Sequence, residues 1–429
     1  MSMKISILTS RVLSFSSFII LCSLFIRCDN SASKNKVSTE SVLSEEPMLD
    51  KFYGFWLGEC IANWTGLITE MDKIGGEGKD GKGAGFYTNI DWGGPDSPNI
   101  WGSNNYAEKI DFYLVDQSGI WGADDDTDIE YIYQHVIDSL GNPFLNGEEI
   151  RNAWLNHIKP EEENFLWVSN QQAFDLMKIG KIPPSTSDPE INPYYAMIDA
   201  QLTTEIFGLY APGDPEYALK MAYLPIRTTA RNEAAEIAEF YVIMYSLLAN
   251  VDSTGRLKDD IMSIATKARE HLKTGGYPAA MYDFVKRAYL DGYKWEETRD
   301  SLHLKFQINR EAGYDWYYKD QVCNGCFAAG INFGASLISL FYGEGDFKET
   351  IKIGVLCGWD SDNPTATWGG ILGFCYGKKG LEEIFGQSFS NKFNIHRTRV
   401  GFPDNGIDTF EKMAAKSLKN QQLAIRFKK

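Results

Sequence analysis

Cysteine and histidine are scarce in this chain, and their spacing does not suit a zinc site. Seven of the 429 residues are cysteine and five are histidine. Cys323 and Cys326 have the two-residue spacing of a zinc-binding pair, but no second Cys or His pair follows at the distance that a structural zinc site requires. We interpret the two as buried thiols, with a disulfide or a metal role as the alternatives. The five histidines, His135, His157, His271, His303 and His396, show no metal-binding pairing and are expected at the surface or in packing roles.

Positive charge is also in short supply. The chain has 42 basic and 58 acidic residues, a formal net charge of -16. Residues 1–27 contain three basic and no acidic side chains, so without them the charge falls to -19. Because an acidic surface repels polyanions, we expect no nucleic acid polymer as a partner. A small-molecule glycoside or glycan is the expected partner.

The apolar run from Val12 to Ile26 lies close to the first residue of the sequence. Lys4 and Arg11 precede it, which is the arrangement of an export signal and is too short to indicate a membrane-spanning helix. We therefore predict an export signal over residues 1–27 and an exported protein.

Cys28 follows the apolar run and precedes a polar stretch, as at the start of a bacterial lipoprotein. Arg27 stands where such signals usually have a small residue, so simple cleavage or an uncleaved anchor stays open. The composition of residues 28–48 indicates a flexible tether. We predict a single folded domain over residues 49–429, with membrane contact only through the anchor and a location at the cell envelope.

Alternating strand patterns are rare, and helical spacing is common. Apolar residues recur every three or four positions from Ile129 to Leu140 and again within residues 233–249. The sequence therefore predicts an all-α fold. Residues 75–105 interrupt the pattern with many glycines and with Trp92 and Trp101. Such a loop either covers a pocket or is packed down by its tryptophans.

Two acidic clusters dominate the chemistry that the sequence offers. One is Asp124-Asp125-Asp126-Thr127-Asp128, and the other is Asp360-Ser361-Asp362-Asn363, which lies between two apolar runs. Neighbouring carboxylates repel one another unless a cation compensates, and a hard divalent metal would do so. A helix-capping role is the alternative for the first cluster. Neither cluster has the glycine and glutamate positions of an EF-hand, and a phosphotransferase of the haloacid dehalogenase type is disfavoured because only 67 residues follow Asp362.

The order of these motifs resembles the ADP-ribosylglycohydrolase family. Residues 54–70 resemble its opening Gly-rich helix, which ends in a glutamate, here Glu70. Residues 124–127 resemble its Thr/Ser-Asp-Asp-Thr motif, and residues 358–363 resemble its closing Gly-x-Asp-x-Asp-Thr motif. Residues 192–216 contain a middle signature similar to one in a bacterial, exported branch of the family.

The resemblance implies an all-α ADP-ribosylglycohydrolase-like fold with a dinuclear magnesium site, in which manganese is possible, and hydrolysis of a glycosidic bond at an ADP-ribose-like substrate. The implied metal ligands are Asp124, Asp125, Asp126, Asp360, Asp362 and Asn363. Two of these positions depart from the family pattern, because Asp124 replaces Thr or Ser and Asn363 replaces Thr. The implied catalytic residues are Glu70, Asp125 and Asp360, one of which would take a proton from the attacking water. A solvated helix-end carboxylate is the alternative for Glu70.

Weaker substrate-contact candidates are Trp121, Gln201 and Asn232, with a core role as the alternative for Trp121. Residues 225–233 contain no histidine where many family members have a Ser/Thr-His pair. The expected substrate therefore widens from ADP-ribosyl protein to a nucleoside or another furanosyl glycoside. A catalytically silent surface lipoprotein that binds glycans or nucleosides is the competing hypothesis.

Overall fold

Helices make up most of the computed structural model, which describes residues 45–78, 83–100, 108–160, 164–251, 255–315 and 325–428. The α-helices in chain order are α1 (Glu45–Gly66), α2 (Asp125–Leu140), α3 (Gly147–His157), α4 (Val168–Lys178), α5 (Asp199–Leu202), α6 (Ile206–Leu209), α7 (Pro215–Ile226), α8 (Asn232–Leu248), α9 (Leu257–Arg269), α10 (Tyr277–Leu290), α11 (Trp295–Leu302), α12 (Ala329–Gly343), α13 (Phe347–Cys357), α14 (Asp362–Phe385) and α15 (Phe410–Lys428). Short 3-10 segments are Ser185–Ser187, Glu311–Gly313 and Pro403–Gly406, and a π-helical segment is His303–Ile308. The prediction of an all-α fold is confirmed.

A small sheet joins distant parts of the chain. Its strands are β1 (Trp121–Gly122), β2 (Lys392–Asn394) and β3 (Ile407–Thr409). Strand β2 is central, parallel to β1 and antiparallel to β3. The sheet thus places the chain segment after α14 beside the loop that leads into α2.

Helices α1 and α14 form the centre of the fold because glycines let their backbones touch. A Cβ atom added at Gly54 would lie 2.2 Å from the carbonyl oxygen of Gly373, and one at Gly58 would lie 2.3 Å from that of Gly369. At the far end of α1, a Cβ at Gly66 would lie 2.3 Å from the Cα of Asp362. This close approach places the end of α1 against the first residue of α14, where the second acidic cluster begins.

The Gly-rich stretch is packed down in the part of it that the structure describes. Trp92 makes an edge-to-face contact with Phe112, at a centroid distance of 5.1 Å. No described residue of the 75–105 stretch lines the large pocket discussed below. The packing interpretation therefore fits Trp92, and Trp101 lies outside the described residues.

Several N-terminal predictions also fall outside the described residues. These are the export signal over residues 1–27, Cys28 and most of the predicted tether. Helix α1 begins at Glu45, four residues before the predicted start of the domain at residue 49. Over the part of the chain that the structure covers, no helix combines the length and apolarity needed to cross a membrane.

The interpretation of the cysteine pair is wrong for Cys326. This residue is buried and disulfide-bonded rather than a free thiol. Its neighbour in the motif, Cys323, lies outside the described residues. Three other described cysteines, Cys60, Cys357 and Cys375, are buried and form no disulfide.

Candidate active site

A pocket of about 620 Å³ lies where the end of α1 meets the starts of α2, α5 and α14. Its lining includes all the acidic residues that the sequence singled out, together with the amide that follows them. These are Glu70, Asp124, Asp125, Asp126, Asp360, Asp362 and Asn363. The fold therefore brings together the two clusters and the glutamate, which the sequence separates widely.

The N-terminus of α2 positions the first cluster. Asp124 is the N-cap and accepts a hydrogen bond from the backbone N–H of Asp125 at 2.9 Å. Asp126 is buried, and its Oδ2 accepts a 2.7 Å hydrogen bond from the side-chain amide of Asn63 on α1. The capping interpretation is thus correct for Asp124. A helix cap needs only one such acceptor, so capping does not account for Asp125 and Asp126.

A tight loop between α13 and α14 positions the second cluster. Gly358 ends α13 at φ 86°, and Trp359 follows at φ 60°, a backbone conformation that a bulky residue rarely adopts. The backbone N–H of Asp360 donates to Oδ1 of Asn332 at 3.2 Å, and the N–H of Met71 donates to the carbonyl of Trp359 at 2.7 Å. The second contact fixes the turn that carries Glu70 against this loop.

Glu70, Asp360 and Asp362 form the most concentrated group of ligand atoms. Each offers a carboxylate oxygen, and these oxygens all lie within 4.8 Å of one another. Their exposed fractions are only 7%, 6% and 6%. We call these three residues the acidic triad.

Burial raises the pKa of every member of the acidic triad, and repulsion between the carboxylates adds to this for Glu70 and Asp362. The pKa of Asp360 rises to about 7. Burial also raises the pKa values of Asp125 and Asp126 well above the ordinary range, with repulsion from neighbouring aspartates contributing. These groups cannot all be ionised at neutral pH without a compensating positive charge.

The donor set fits a hard divalent cation. Asp126 Oδ1 and Asp362 Oδ1 are buried, and neither has a hydrogen-bond partner among the described residues. Oxygen ligands of this kind suit Mg²⁺, Mn²⁺ or Ca²⁺ rather than the softer metals that sulfur binds. Within the described ranges, the acidic triad is the group whose ligand atoms are close enough to share one ion. Asp124, Asp125 and Asp126 line the same pocket without joining that group.

Comparison with known proteins agrees with this chemistry. The sequence profile of the family described as ADP-ribosylglycohydrolase matches residues 44–400. The chain belongs to the ADP-ribosylglycohydrolase family. Membership supports a glycohydrolase-type function on ADP-ribose-like substrates. No curated protein matches the chain significantly.

Among solved structures, the chain is similar to one described as "ADP-ribosylglycohydrolase-related protein complex". The two are 15% identical with a TM-score of 0.49, and the match covers 88% of this chain and 99% of that one.

The structure places the remaining predicted residues of this family member away from the pocket lining. Trp121 is fully buried, and its indole N–H donates to the carbonyl of Ser390 at 3.2 Å, which is the core role. Asn232 is exposed at the start of α8. Gln201 is buried behind the pocket and donates to Oδ1 of Asn363 at 3.0 Å. That contact engages the Asn363 oxygen that a metal would need.

Asp199 is a pocket residue that the motif analysis did not assign, although it lies in the middle signature. It begins α5, is buried, and accepts hydrogen bonds from the Ser169 hydroxyl at 2.6 Å and the Asn170 backbone N–H at 3.0 Å. Burial raises its pKa. Its oxygens are occupied by protein donors, so Asp199 adds negative charge to the pocket without being a strong candidate ligand.

A buried ion pair also reaches the pocket. Arg399 Nε lies 2.8 Å from Asp128 Oδ2, and neither side chain is exposed. Burial raises the pKa of Asp128 to about 6, while the charge of Arg399 opposes that rise. Arg399 also donates to the backbone carbonyl of Asn164 at 2.6 Å. No sequence motif pointed to Arg399, because its partners are distant in the chain.

Proposed function

We propose that this protein is a divalent-metal-dependent hydrolase that cleaves a glycosidic bond at an ADP-ribose-like, nucleoside or other furanosyl substrate. The observation that carries the proposal is the acidic triad, buried in a pocket and close enough to share one cation. We further propose magnesium as the ion, two ions per site, and manganese as a substitute. The triad would hold one ion, and Asp125 and Asp126 would contribute to the second.

When bound, such ions supply Lewis-acid polarisation of water and orient neighbouring sugar hydroxyls. The residues of the chain do the rest. Glu70 is the candidate to take the proton of the attacking water, since its carboxylate lines the pocket beside those of Asp360 and Asp362. The carboxylates of Asp125 and Asp360 would stabilise the positive charge that develops at the anomeric carbon as the leaving group departs.

The missing histidine bears little on the pocket of this chain. None of residues 225–233 lines it. Arg227 in that segment instead pairs with Glu239 at 2.7 Å, outside the pocket. We therefore retain ADP-ribose-like compounds among the proposed substrates, beside nucleosides and furanosyl glycans.

The test is sugar release by the protein lacking residues 1–28. ADP-ribosylated protein, nucleosides and furanosyl glycans would be supplied with magnesium and, separately, with chelator. Asp360→Asn removes one triad carboxylate at nearly constant size, and the exposed Asp404→Asn is the matched control. We expect magnesium-dependent release that falls by about 100-fold or more in Asp360→Asn and is unchanged in the control.

Release that persists with chelator and in Asp360→Asn would contradict the metal-dependent mechanism. Binding of any of these compounds without release would instead favour the competing hypothesis of a catalytically silent binding protein. Calorimetry with magnesium alone separates the two steps, because loss of metal binding in Asp360→Asn can be seen without any substrate.

We also propose that the protein is exported and attached to the cell envelope through a lipid on Cys28. The support is the apolar run and the polar stretch around that residue in the sequence. Expression of the full chain and of Cys28→Ser, followed by separation of membrane and soluble fractions, tests this. The wild type should be in the membrane fraction and the variant should not.

A further inference from the structure

Four side chains form an aromatic and cationic rim on the pocket. Phe165, Trp167, His396 and Arg397 all line it, and we call them the aromatic rim. The Arg397 guanidinium carbon lies 4.4 Å from the ring centroid of Phe165. The Phe165 ring lies 4.9 Å from that of His396 and 6.2 Å from that of Trp167. Trp167 is 48% exposed, so one part of its ring is open to a ligand.

Arg397 differs in charge from the rest of the pocket. The ionisable residues on the pocket floor are aspartates and Glu70, and the other arginine, Arg399, is paired with Asp128. In the parts of the chain that the structure describes, Arg397 has no carboxylate partner. Its Nη1 lies 3.0 Å from Nε2 of His396. The guanidinium has further N–H donors that remain for a ligand.

His396 holds Arg397 without adding positive charge. Its Nδ1 lies 2.7 Å from the Thr398 hydroxyl, which itself donates to the carbonyl of Asn164 at 2.8 Å. A neutral imidazole with its proton on Nδ1 satisfies the two shorter contacts, because it donates to the Thr398 hydroxyl and accepts from Arg397 at Nε2. Burial and the nearby Arg399 and Arg397 lower the pKa of His396 to about 4, which agrees with a neutral ring.

Buried contacts of Arg399 hold the backbone that carries Phe165 of the aromatic rim. Arg399 donates to the backbone carbonyls of Asn164, at 2.6 Å, and Phe165, at 3.3 Å. Phe165 itself has φ 56°, a conformation that a residue with a side chain adopts only when its surroundings enforce it. The ring on which the Arg397 guanidinium stacks is thus fixed in place before any ligand binds.

We propose that the aromatic rim binds an anionic group, a phosphate or a carboxylate, on the part of the substrate remote from the acidic triad. Arg397 pairs with the anion through its free N–H donors, and the exposed face of Trp167 packs on an adjoining flat ring. A guanidinium already stacked on Phe165 loses little freedom on binding, which favours this role. The inference rests on the proposed function only in treating the ligand as a substrate.

The first experiment measures binding without turnover. Phenyl phosphate, benzoate and neutral benzamide are titrated by calorimetry into the full chain with chelator, which removes anion binding at metal ions. We expect Arg397→Gln to weaken binding of phenyl phosphate or benzoate at least about tenfold and to leave benzamide unchanged. Trp167→Ala should weaken all three compounds. The exposed Arg256→Gln is the matched control and should have no effect.

Two results would overturn the proposal. One is anion binding that is absent or indifferent to Arg397→Gln, and the other is an equal loss in Arg256→Gln. The two anions distinguish the sources, since a phosphate site prefers phenyl phosphate and a carboxylate site prefers benzoate. An adequate fold of each variant is checked by circular dichroism and by an unchanged melting temperature.

Turnover gives a second readout once a substrate is known. Arg397→Gln should raise KM at least about tenfold for a substrate that carries the anion, with kcat unchanged, and should leave the anion-free analogue unaffected. Arg397-dependent binding of phenyl phosphate or benzoate without hydrolysis of any glycoside would refute the proposed function and support the anion-binding role of the aromatic rim. Hydrolysis of both substrates that is unaffected by Arg397→Gln would refute the anion-binding role of the aromatic rim and leave the proposed function standing.

Discussion

Replacing Arg399 with methionine should destabilise the protein more at pH 7.5 than at pH 5. The substitution keeps an unbranched side chain in the buried space but removes the charge that faces Asp128, 2.8 Å away. It also removes the Arg399 donors to the carbonyls of Asn164 and Phe165. The two losses differ in their pH dependence, so they can be measured separately.

The pH-independent loss comes from the backbone. A buried carbonyl left without a donor costs about 1–3 kcal/mol. The carbonyl of Phe165 loses Arg399, whereas that of Asn164 loses Arg399 but keeps the Thr398 hydroxyl. We expect Arg399→Met to reduce the free energy of unfolding at pH 5 by about 1–3 kcal/mol on this account.

The pH-dependent loss comes from Asp128. In the wild type its pKa is raised from 3.8 to about 6, so the folded state holds this proton more tightly than the unfolded state. Its contribution to stability is therefore complete below about pH 4 and is lost as the pH rises through 6. Without Arg399 the folded-state pKa rises further. With a folded-state pKa of Asp128 above 7.5, the free energy of unfolding of Arg399→Met keeps falling between pH 6 and pH 7.5. At 1.36 kcal/mol for each pH unit, this adds about 2 kcal/mol to the destabilisation.

The assay is urea unfolding of the wild type, Arg399→Met, Asp128→Asn and the double variant, at both pH values and at one chelator concentration. Differences from the wild type cancel the titration of the other buried carboxylates. Arg399→Met should be destabilised by about 3–5 kcal/mol at pH 7.5, in the range found when one partner of a buried ion pair is removed. In the Asp128→Asn background the pH dependence of the Arg399→Met effect should shrink to the part that comes from His396, whose pKa Arg399 also lowers. An equal loss at both values in the native background would refute this reasoning.

Three further predictions concern packing, buried acids and the metal site. Gly373→Ala places a methyl group against the backbone of α1 and should lower stability by several kcal/mol in thermal unfolding. Gly76→Ala, whose added Cβ would lie 4.0 Å from the backbone nitrogen of Gly78, should change it little. Burial raises the pKa of Glu205 to about 7, so the folded state loses stability as the pH rises through that value. The change in melting temperature caused by Glu205→Gln should therefore be more favourable at pH 8 than at pH 5, whereas the exposed Glu216→Gln should show no such trend. Asn63→Ala removes the donor to Asp126 and should weaken magnesium binding about 10–100-fold by calorimetry, and unchanged affinity would show that Asn63 does not position a metal ligand.

Local patterns in the sequence were enough to predict the helices and the acidic clusters. The apolar periodicity of residues 129–140 and 233–249 corresponds to α2 and α8, because the face of a helix that packs in the core repeats every three or four residues. The aspartates could be grouped because the family motifs keep them in a fixed order. Their meeting in one pocket required the glycine contacts between α1 and α14, which a single sequence does not specify.

The aromatic rim and its support could not be predicted in this way. Arg399 and Asn164 are 235 positions apart, and no local pattern links them. For Trp121 the sequence left two interpretations open, a pocket contact suggested by its closeness to Asp124 and a core role, and the structure shows the core role. The ring of Trp121 in β1 lies in the core, where the carbonyl of Ser390 accepts a hydrogen bond from the indole N–H. Distance along the chain is a poor guide to what faces a cavity.

A second group of buried acids shows what separates a candidate metal ligand from a structural carboxylate. Glu59, Glu130 and Glu205 are as deeply buried as the acidic triad, and burial raises the pKa of each. None of them lines the pocket. Glu130 accepts from the backbone N–H of Ile206 at 2.7 Å, and Glu205 accepts from the Thr367 hydroxyl at 2.6 Å. Both carboxylate oxygens of Glu59 are buried and lack a hydrogen-bond partner among the described residues, as do Asp126 Oδ1 and Asp362 Oδ1. The difference is that Glu59 lies away from the pocket, whereas the triad faces a cavity that a hydrated ion can enter. Access to the pocket, more than acidity or burial, therefore marks Glu70, Asp360 and Asp362 as the residues that would bind the metal.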